Sequence, residues 1–234
     1  HAWGALAGIE LCYVGGLIDN LGHRAVAAAA YQFPSPWIPQ VYSYQADAED
    51  FARIHRMYLE AAKRALDAGF DIIYVHGTHG AFPVQMLSKH FNRRSDGYGG
   101  SFENRARFWV ELLEALKAAT GESCAIATRF SVDQISGPYG VEVGDEGLRF
   151  VEYVTRLGLL DLWDVNISGL HNWGEDAASS RFHGANHQLP WTREVKSIAK
   201  VPVVGVGRFT SPDDMVKVVV SGQYDIIGCA RPSI

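Results

Sequence analysis

Two β-branched runs late in the chain, VVGVGRF (Val203–Phe209) and DIIGCARP (Asp225–Pro232), each pass at once into small residues and then an arginine. Backbone without bulky side chains lets N–H groups close on an anion, and a guanidinium offers a planar fork of donors to phosphate oxygens. Gly205, Gly207 and Arg208 from the first run, with Gly228, Ala230 and Arg231 from the second, are therefore candidate holders of one phosphate. Earlier strand-like runs lead into residues that move protons or hold charge. These are Glu10 in the first run, His76 and His79 after the second, Arg129 after the third, and Trp173 and Asp176 after the fourth. Singly, each has a structural explanation, an ion pair for a strand-end arginine above all. Gathered at one end of every strand, they mark the face where a parallel barrel carries its chemistry.

The elements that must position these residues alternate. Strands are expected at Leu6–Cys12, Asp71–Val75, Cys124–Thr128, Leu162–Ile167, Pro202–Val206 and Tyr224–Gly228. Helices are expected from Asp47 to the Gly69 stop, then at Asn104–Ala119, Gly144–Arg156, Thr192–Ala199 and Pro212–Val220. A long Pro-, Tyr- and Gln-rich loop joins the first strand to the first helix; its aromatic stretch Tyr31–Tyr44, with Trp37, reads as a lid or a subunit contact. Alternating βα units imply a parallel sheet with right-handed crossovers. The expected fold is an α/β (β/α)₈ (TIM) barrel, incomplete, with about strands 3 to 8 present. Residues 1–234 would form part of a single barrel domain whose flanking N-terminal strands and C-terminal domains are absent. The alternative is an open, doubly wound sheet.

Composition narrows the function. With 234 residues, 47% hydrophobic and 20% charged, the chain is ordinary for one globular domain. A net charge of −5 provides no general attraction for nucleic acid or anionic membrane. No run approaches the ~20 apolar residues of a membrane span, and no targeting pattern opens the chain, so a cytoplasmic protein is expected. Cys12, Cys124 and Cys229 are widely spaced and form no C-x-x-C pair; they read as reduced core thiols, and no metal site is visible. Asn104, Arg105 and Arg107 with Asp96 read as an ion-pair network bracing a helix start.

HGTH (His76–His79), followed by NRRSDGYGGSFENRARF (Asn92–Phe108), resembles the signature of the old yellow enzyme family of FMN-dependent oxidoreductases. IATRFSVD (Ile126–Asp133), NWGEDAASSRF (Asn172–Phe182) and the two arginine loops are most similar to the branch containing trimethylamine, dimethylamine and histamine dehydrogenases. The resemblance covers essentially the whole chain. It implies bound FMN, with Glu10 at the flavin pyrimidine edge and Arg129 near N1/O2, where a cation stabilises the charge of the reduced ring. It implies that Gly205, Gly207, Arg208, Gly228, Ala230 and Arg231 hold the phosphate and that His76 and His79 flank the substrate. Trp173 and Phe82 would line an amine pocket, with Asp176 beside His79. It also implies an electron acceptor protein or NAD(P)H as redox partner, a homo-oligomer, and a possible 4Fe–4S cluster beyond Ile234.

A Trp face attracts alkylammonium by about 0.5–2 kcal/mol, and Asp176 adds complementary charge. Two departures bear on the choice of reaction. His76 stands where the amine dehydrogenases carry Tyr, and a paired-histidine HGxH is typical of ene-reductases. Yet those place a proton-donating Tyr two residues after the second His, where this chain has Ala81 followed by Phe82. Oxidation of a small secondary or tertiary amine is the favoured expectation. NAD(P)H-dependent reduction of activated alkenes is the alternative, and a non-catalytic flavin-binding barrel the distant one.

Overall fold

The computed structural model describes residues 1–17, 25–30, 32–33, 41–169 and 183–230. Its centre is a six-stranded parallel sheet of β1 (Gly8–Leu11), β6 (Ile72–Gly77), β7 (Ala125–Asp133), β8 (Leu162–Ile167), β9 (Val203–Gly205) and β10 (Ile226–Ile227), in that spatial order. Every neighbour in the sheet is also the next major strand in sequence. The excursion after β1 forms two small ladders: β2 (Val26–Ala27) parallel to β5 (Tyr44–Gln45), and β3 (Gln32–Phe33) antiparallel to β4 (Val41–Tyr42). Trp37 lies outside the described residues.

The helices explain why this sheet belongs to a barrel and not a doubly wound layer. On the outer face Ile73, Val75, Ile126, Phe130, Val132, Trp163, Val165 and Val203 join α1 (Ala48–Asp67), α3 (Phe102–Thr120) and α4 (Leu148–Leu157) in one core. On the other face Ile72, Tyr74, Ala127, Leu162 and Val204 form a separate apolar cluster that holds no helix residue among those described. Alternation along each strand thus sends one set of side chains to the helices and the other to an interior lined by strands alone. Gly77 lets α3 approach, since a Cβ there would collide with the buried Trp109 ring.

Local signals fix the helix ends. Asp47 and Asp50 form a reciprocal capping box at α1, with N–H to carboxylate distances of 2.9 and 3.2 Å. Ser101 caps α3, and Ser211 caps α6 (Pro212–Val220) ahead of Pro212. Gly69 (φ +80°) and Gly158 (φ +65°) take the left-handed turns after α1 and α4.

One device repeats at the end of the sheet opposite the candidate site. Asp71, just before β6, accepts the Ala7 N–H at 2.7 Å beside β1. Asp161, before β8, accepts the Ile126 N–H of β7 at 2.8 Å, and Asp225, before β10, accepts the Val203 N–H of β9 at 2.7 Å. Each carboxylate meets a cation or histidine: His1, Lys117 and Lys196 respectively.

Several expectations shift. β7 extends to Asp133, well past Thr128, because Phe130 and Val132 continue the outward alternation while Ser131 pairs inward with β8. The short helix α2 (Phe82–Leu87), with Pro83 in its first turn, follows His79 and is not among the expected helices. The helix expected from Gly144 opens one residue earlier as a π-helical turn, Val143–Gly147, and continues as α4 from Leu148. α5 (Leu189–Ile198) starts three residues earlier than Thr192. Cys124 is buried, but Cys12 and Cys229 are exposed, so only one of the three thiols belongs to the core. Asp96 pairs with Arg94, not with Arg105 or Arg107. Arg105 turns inward to a buried ion pair with Glu146, and Arg107 donates to the Gly97 carbonyl and Asn104. No helix among the described residues is long and apolar enough to cross a membrane.

Candidate active site

Period-two alternation places Tyr74 and His76 of β6, Ala127 and Arg129 of β7, and Leu162 and Asp164 of β8 on the inner face. The ladder register aligns His76 with Arg129, Arg129 with Asp164, and Asp164 with Val204. One row across four strands therefore carries an imidazole, a guanidinium and a carboxylate, with His76 next to last in β6, Arg129 midway along β7 and Asp164 third in β8. Glu10 of β1 stands opposite Tyr74, one inward step below that row. Its Oε1 lies 2.6 Å from His76 Nδ1.

The charges in this row act on one another. Burial alone would raise the Glu10 carboxyl, but the His76 hydrogen bond and the charges of His76, Arg129 and His79 outweigh it and hold Glu10 below the usual carboxylate range. Burial, with the charges of Asp164 and Glu10, pushes the Tyr74 hydroxyl up, so it stays a neutral phenol. Arg129 Nε is buried with no hydrogen-bond partner among the described residues. A buried orphan of that kind costs about 1–3 kcal/mol, which a ligand carbonyl or anion would recover.

His79 sits at φ +50° and Gly80 at φ +75°, so the chain makes consecutive left-handed steps after β6. A non-glycine residue there carries backbone strain. The turn brings the His79 ring centroid to 5.8 Å from that of His76. Beneath it, Thr78, Ser131 and Asn166 form a fully buried hydrogen-bonded cluster across β6, β7 and β8, and Ser131 Oγ donates 2.7 Å to the Ser168 carbonyl. The cluster ties the histidine loop to the point where β8 leads into residues 170–182.

At the other side of the mouth, the Gly228 N–H donates to the Gly205 carbonyl at 2.9 Å, so the loops after β9 and β10 leave side by side. Gly207 adopts φ +149°, open to glycine, and Arg208 adopts φ +58°. Arg208 is exposed and donates to the His183 carbonyl at 2.5 Å. Gly205 and Gly228 also have packing reasons: a Cβ on the first would strike the Tyr224 ring, and on the second the Val206 side chain. Ala230 is exposed.

The expected residues thus divide. Glu10, His76, His79 and Arg129 face one another; Gly205, Gly207, Arg208, Gly228 and Ala230 lie on the two neighbouring loops. Trp173, Asp176 and Arg231 fall outside the described residues. Phe82, expected at the substrate pocket, belongs instead to the helix-side core: it is fully buried and packs on Tyr13, Phe51 and Phe108 at 5.6, 6.3 and 4.9 Å. It begins α2, whose side chains are all buried. Two residues escaped the sequence reading. Asp164 hides in an apolar run, and only the inward parity of Leu162–Asp164–Asn166 signals it. Gln188 is 1% exposed, both its amide atoms lack partners among the described residues, and its backbone lies beside Gly207.

The orphaned Arg129 Nε and the bare backbone at Gly207 fit a ligand with a carbonyl-rich edge and an anionic tail, the donor needs of FMN. The sequence profile of the NADH:flavin oxidoreductase / NADH oxidase family matches residues 1–234. Dimethylamine dehydrogenase of Hyphomicrobium sp. (strain x) is 44% identical over 240 residues, covering 100% of this chain and 32% of that protein. The solved histamine dehydrogenase of Rhizobium sp. 4-9 superposes with a TM-score of 0.90 at 39% identity, over 99% of this chain and 33% of its own. An old yellow enzyme homologue from Zymomonas mobilis shares the barrel fold, with a TM-score of 0.78 at 23% identity. The chain spans about a third of the length of the two amine dehydrogenases and matches part of the barrel.

Proposed function

Since the chain belongs to the NADH:flavin oxidoreductase / NADH oxidase family, we propose that the full-length protein is an FMN-dependent oxidoreductase of small secondary or tertiary amines. Hydride leaves a carbon next to nitrogen, and the resulting iminium is hydrolysed to an amine and an aldehyde. The observation that carries this reading is the inner-face cluster of Glu10, His76, His79 and Arg129, in a chain 44% identical to a dimethylamine dehydrogenase.

FMN, when bound, supplies the hydride-accepting ring. Arg129 would hold the N1/O2 edge, Glu10 the pyrimidine edge, and Gly205, Gly207, Arg208, Gly228, Ala230 and Arg231 the phosphate. Gln188, beside Gly207, is a further candidate there. His76 and His79 would stand on the substrate side, with Trp173 as a wall of the amine pocket and Asp176 beside His79. The full protein would pass electrons to an acceptor protein or to NAD(P)⁺, act as a cytoplasmic homo-oligomer, and carry any 4Fe–4S cluster outside these residues.

The paired histidines, with ring centroids 5.8 Å apart, also suit a carbonyl or phenolate oxygen, which favours alkene reduction as a second reading. That reaction needs an acid at the far carbon, and the position beside the pair is Ala81, a buried methyl group. Anaerobic mixing separates the two. Methylated amines should bleach the flavin of the full-length protein, while enones should not reoxidise its NADH-reduced form; the reverse pattern overturns the amine reading.

A further inference from the structure

An ionised carboxylate only accepts hydrogen bonds. Glu10 is held in its ionised form by His76, Arg129 and His79, and its Oε1 is 2.6 Å from His76 Nδ1. The proton of that hydrogen bond therefore sits on Nδ1, which leaves Nε2 as the second working atom of the ring. Side-chain exposure is 16% for His76 and 36% for Glu10, so the imidazole is the more enclosed partner and still reaches the inner-face mouth. A base oriented through its other nitrogen by a carboxylate is the arrangement that general-base catalysis requires.

We infer that Glu10 is a positioning residue whose hydrogen bond to Nδ1 makes His76 Nε2 the acceptor for the proton of an alkylammonium substrate. The inference rests on the amine reading above and deepens it. The step balances simply: the ammonium N–H bond breaks, an Nε2–H bond forms, and the positive charge passes from amine to imidazolium beside the Glu10 carboxylate. No electrons change hands. The amine keeps its lone pair, which hydride loss from the neighbouring carbon requires. His76 occupies the position where the resembled amine dehydrogenases carry Tyr, and the Glu10 contact supplies that histidine with the partner a proton acceptor needs.

Other groups face this pair from each packed element: Cys12 from β1, Tyr74 and His79 from β6 and its turn, Arg129 from β7, and Asp164, through Tyr74, from β8. Arg129 opposes a second positive charge on His76, and Glu10 offsets it. Removing the carboxylate should therefore release the His76 ring from the tautomer that leaves Nε2 open to the substrate.

Selective nitrogen-15 labelling of histidine reads the tautomer in the full-length protein, because a ring nitrogen without a proton resonates far downfield of one that carries it. In wild type the His76 Nε2 should give the unprotonated signal and Nδ1 the protonated one. Glu10→Leu should average or exchange the two signals, and Glu10→Gln, whose amide oxygen still accepts from Nδ1, should keep the wild-type pattern. A proton on Nε2 in wild type, or a tautomer unchanged in Glu10→Leu, overturns the inference. Amine-driven bleaching of the wild-type flavin tests the amine reading separately. Bleaching without the tautomer contrast removes the pair's role and keeps the amine reading. The contrast without bleaching keeps the pair and removes its substrate.

Discussion

His76 and Arg129 are register partners on adjacent parallel strands, and both project into the interior that the helices leave uncovered. Two positive-capable groups so placed need negative charge nearby. Glu10 supplies it one inward step below and Asp164 on the next strand, so a carboxylate flanks the two cationic groups on each side. The candidate site is a property of the sheet's register before it is a property of its loops.

Arg129 is the residue whose loss should be felt most by bound flavin. Its Nε is buried without a hydrogen-bond partner among the described residues, so the guanidinium keeps an unused donor. Arg129→Ala should slow amine-driven flavin reduction by about 10²-fold, as for removal of one preorganised donor. Stopped-flow absorbance under anaerobic conditions reads this rate, and flavin content per chain reads retention. Arg129→Lys should recover only part of the rate, because the charge returns without the planar fork.

Gly77 should tolerate no side chain. A Cβ would enter the volume of the Trp109 ring, which is fully buried under the histidine loop. Gly77→Ala should cost about 1–3 kcal/mol by overpacking and displace His76 and His79. Chemical denaturation measures the first effect and substrate-driven bleaching the second. Trp109→Leu in the same background should restore part of both.

The buried pair Arg105–Glu146 joins α3 to the turn before α4, and Arg105 Nε also donates to the Leu87 carbonyl at 2.9 Å. Glu146→Ala leaves a buried guanidinium without its counter-charge and should cost about 3–5 kcal/mol. Replacing both partners by apolar residues of similar volume should cost much less. Urea unfolding of the three variants makes the comparison.

Asp225 should make stability pH-dependent. Burial raises its carboxyl, but the Lys196 hydrogen bond, the Val203 N–H and the Lys196 charge together hold it below the ordinary value of 3.8. A folded-state value below the unfolded one means stability that is fully present above about pH 4 and lost as pH falls through the folded value. Asp225→Asn should be less stable than wild type at neutral pH and should show a smaller decline between pH 5 and 3, measured by thermal unfolding.

The strand order and the strand-end chemistry were legible because β-branched runs and helical spacing alternate through the whole chain. The strand Leu162–Ile167 and the helix Pro212–Val220 match to the residue. Less legible was anything set by pairing across strands. Glu10 and His76 are 66 residues apart, and only the register brings their side chains together. Asp71, Asp161 and Asp225 occur as F-D-I-I, L-D-L-W and Y-D-I-I, a sequence repeat whose meaning, a cap on the neighbouring strand's N–H, requires knowing which strand is the neighbour. Phe82 was misplaced because a phenylalanine after a histidine loop looks like a pocket wall, while α2, a helix of six residues, carries too little periodicity to show which side it buries.

FMN bound over this inner row would meet Arg129 at its pyrimidine edge. The crystal structure of the full-length, flavin-loaded protein tests it most directly. Arg129 should lie within hydrogen-bonding distance of the flavin N1/O2 edge, with the phosphate against the Gly207–Arg208 backbone. Flavin bound away from the inner face, or an Arg129 guanidinium turned from the ring, would contradict it.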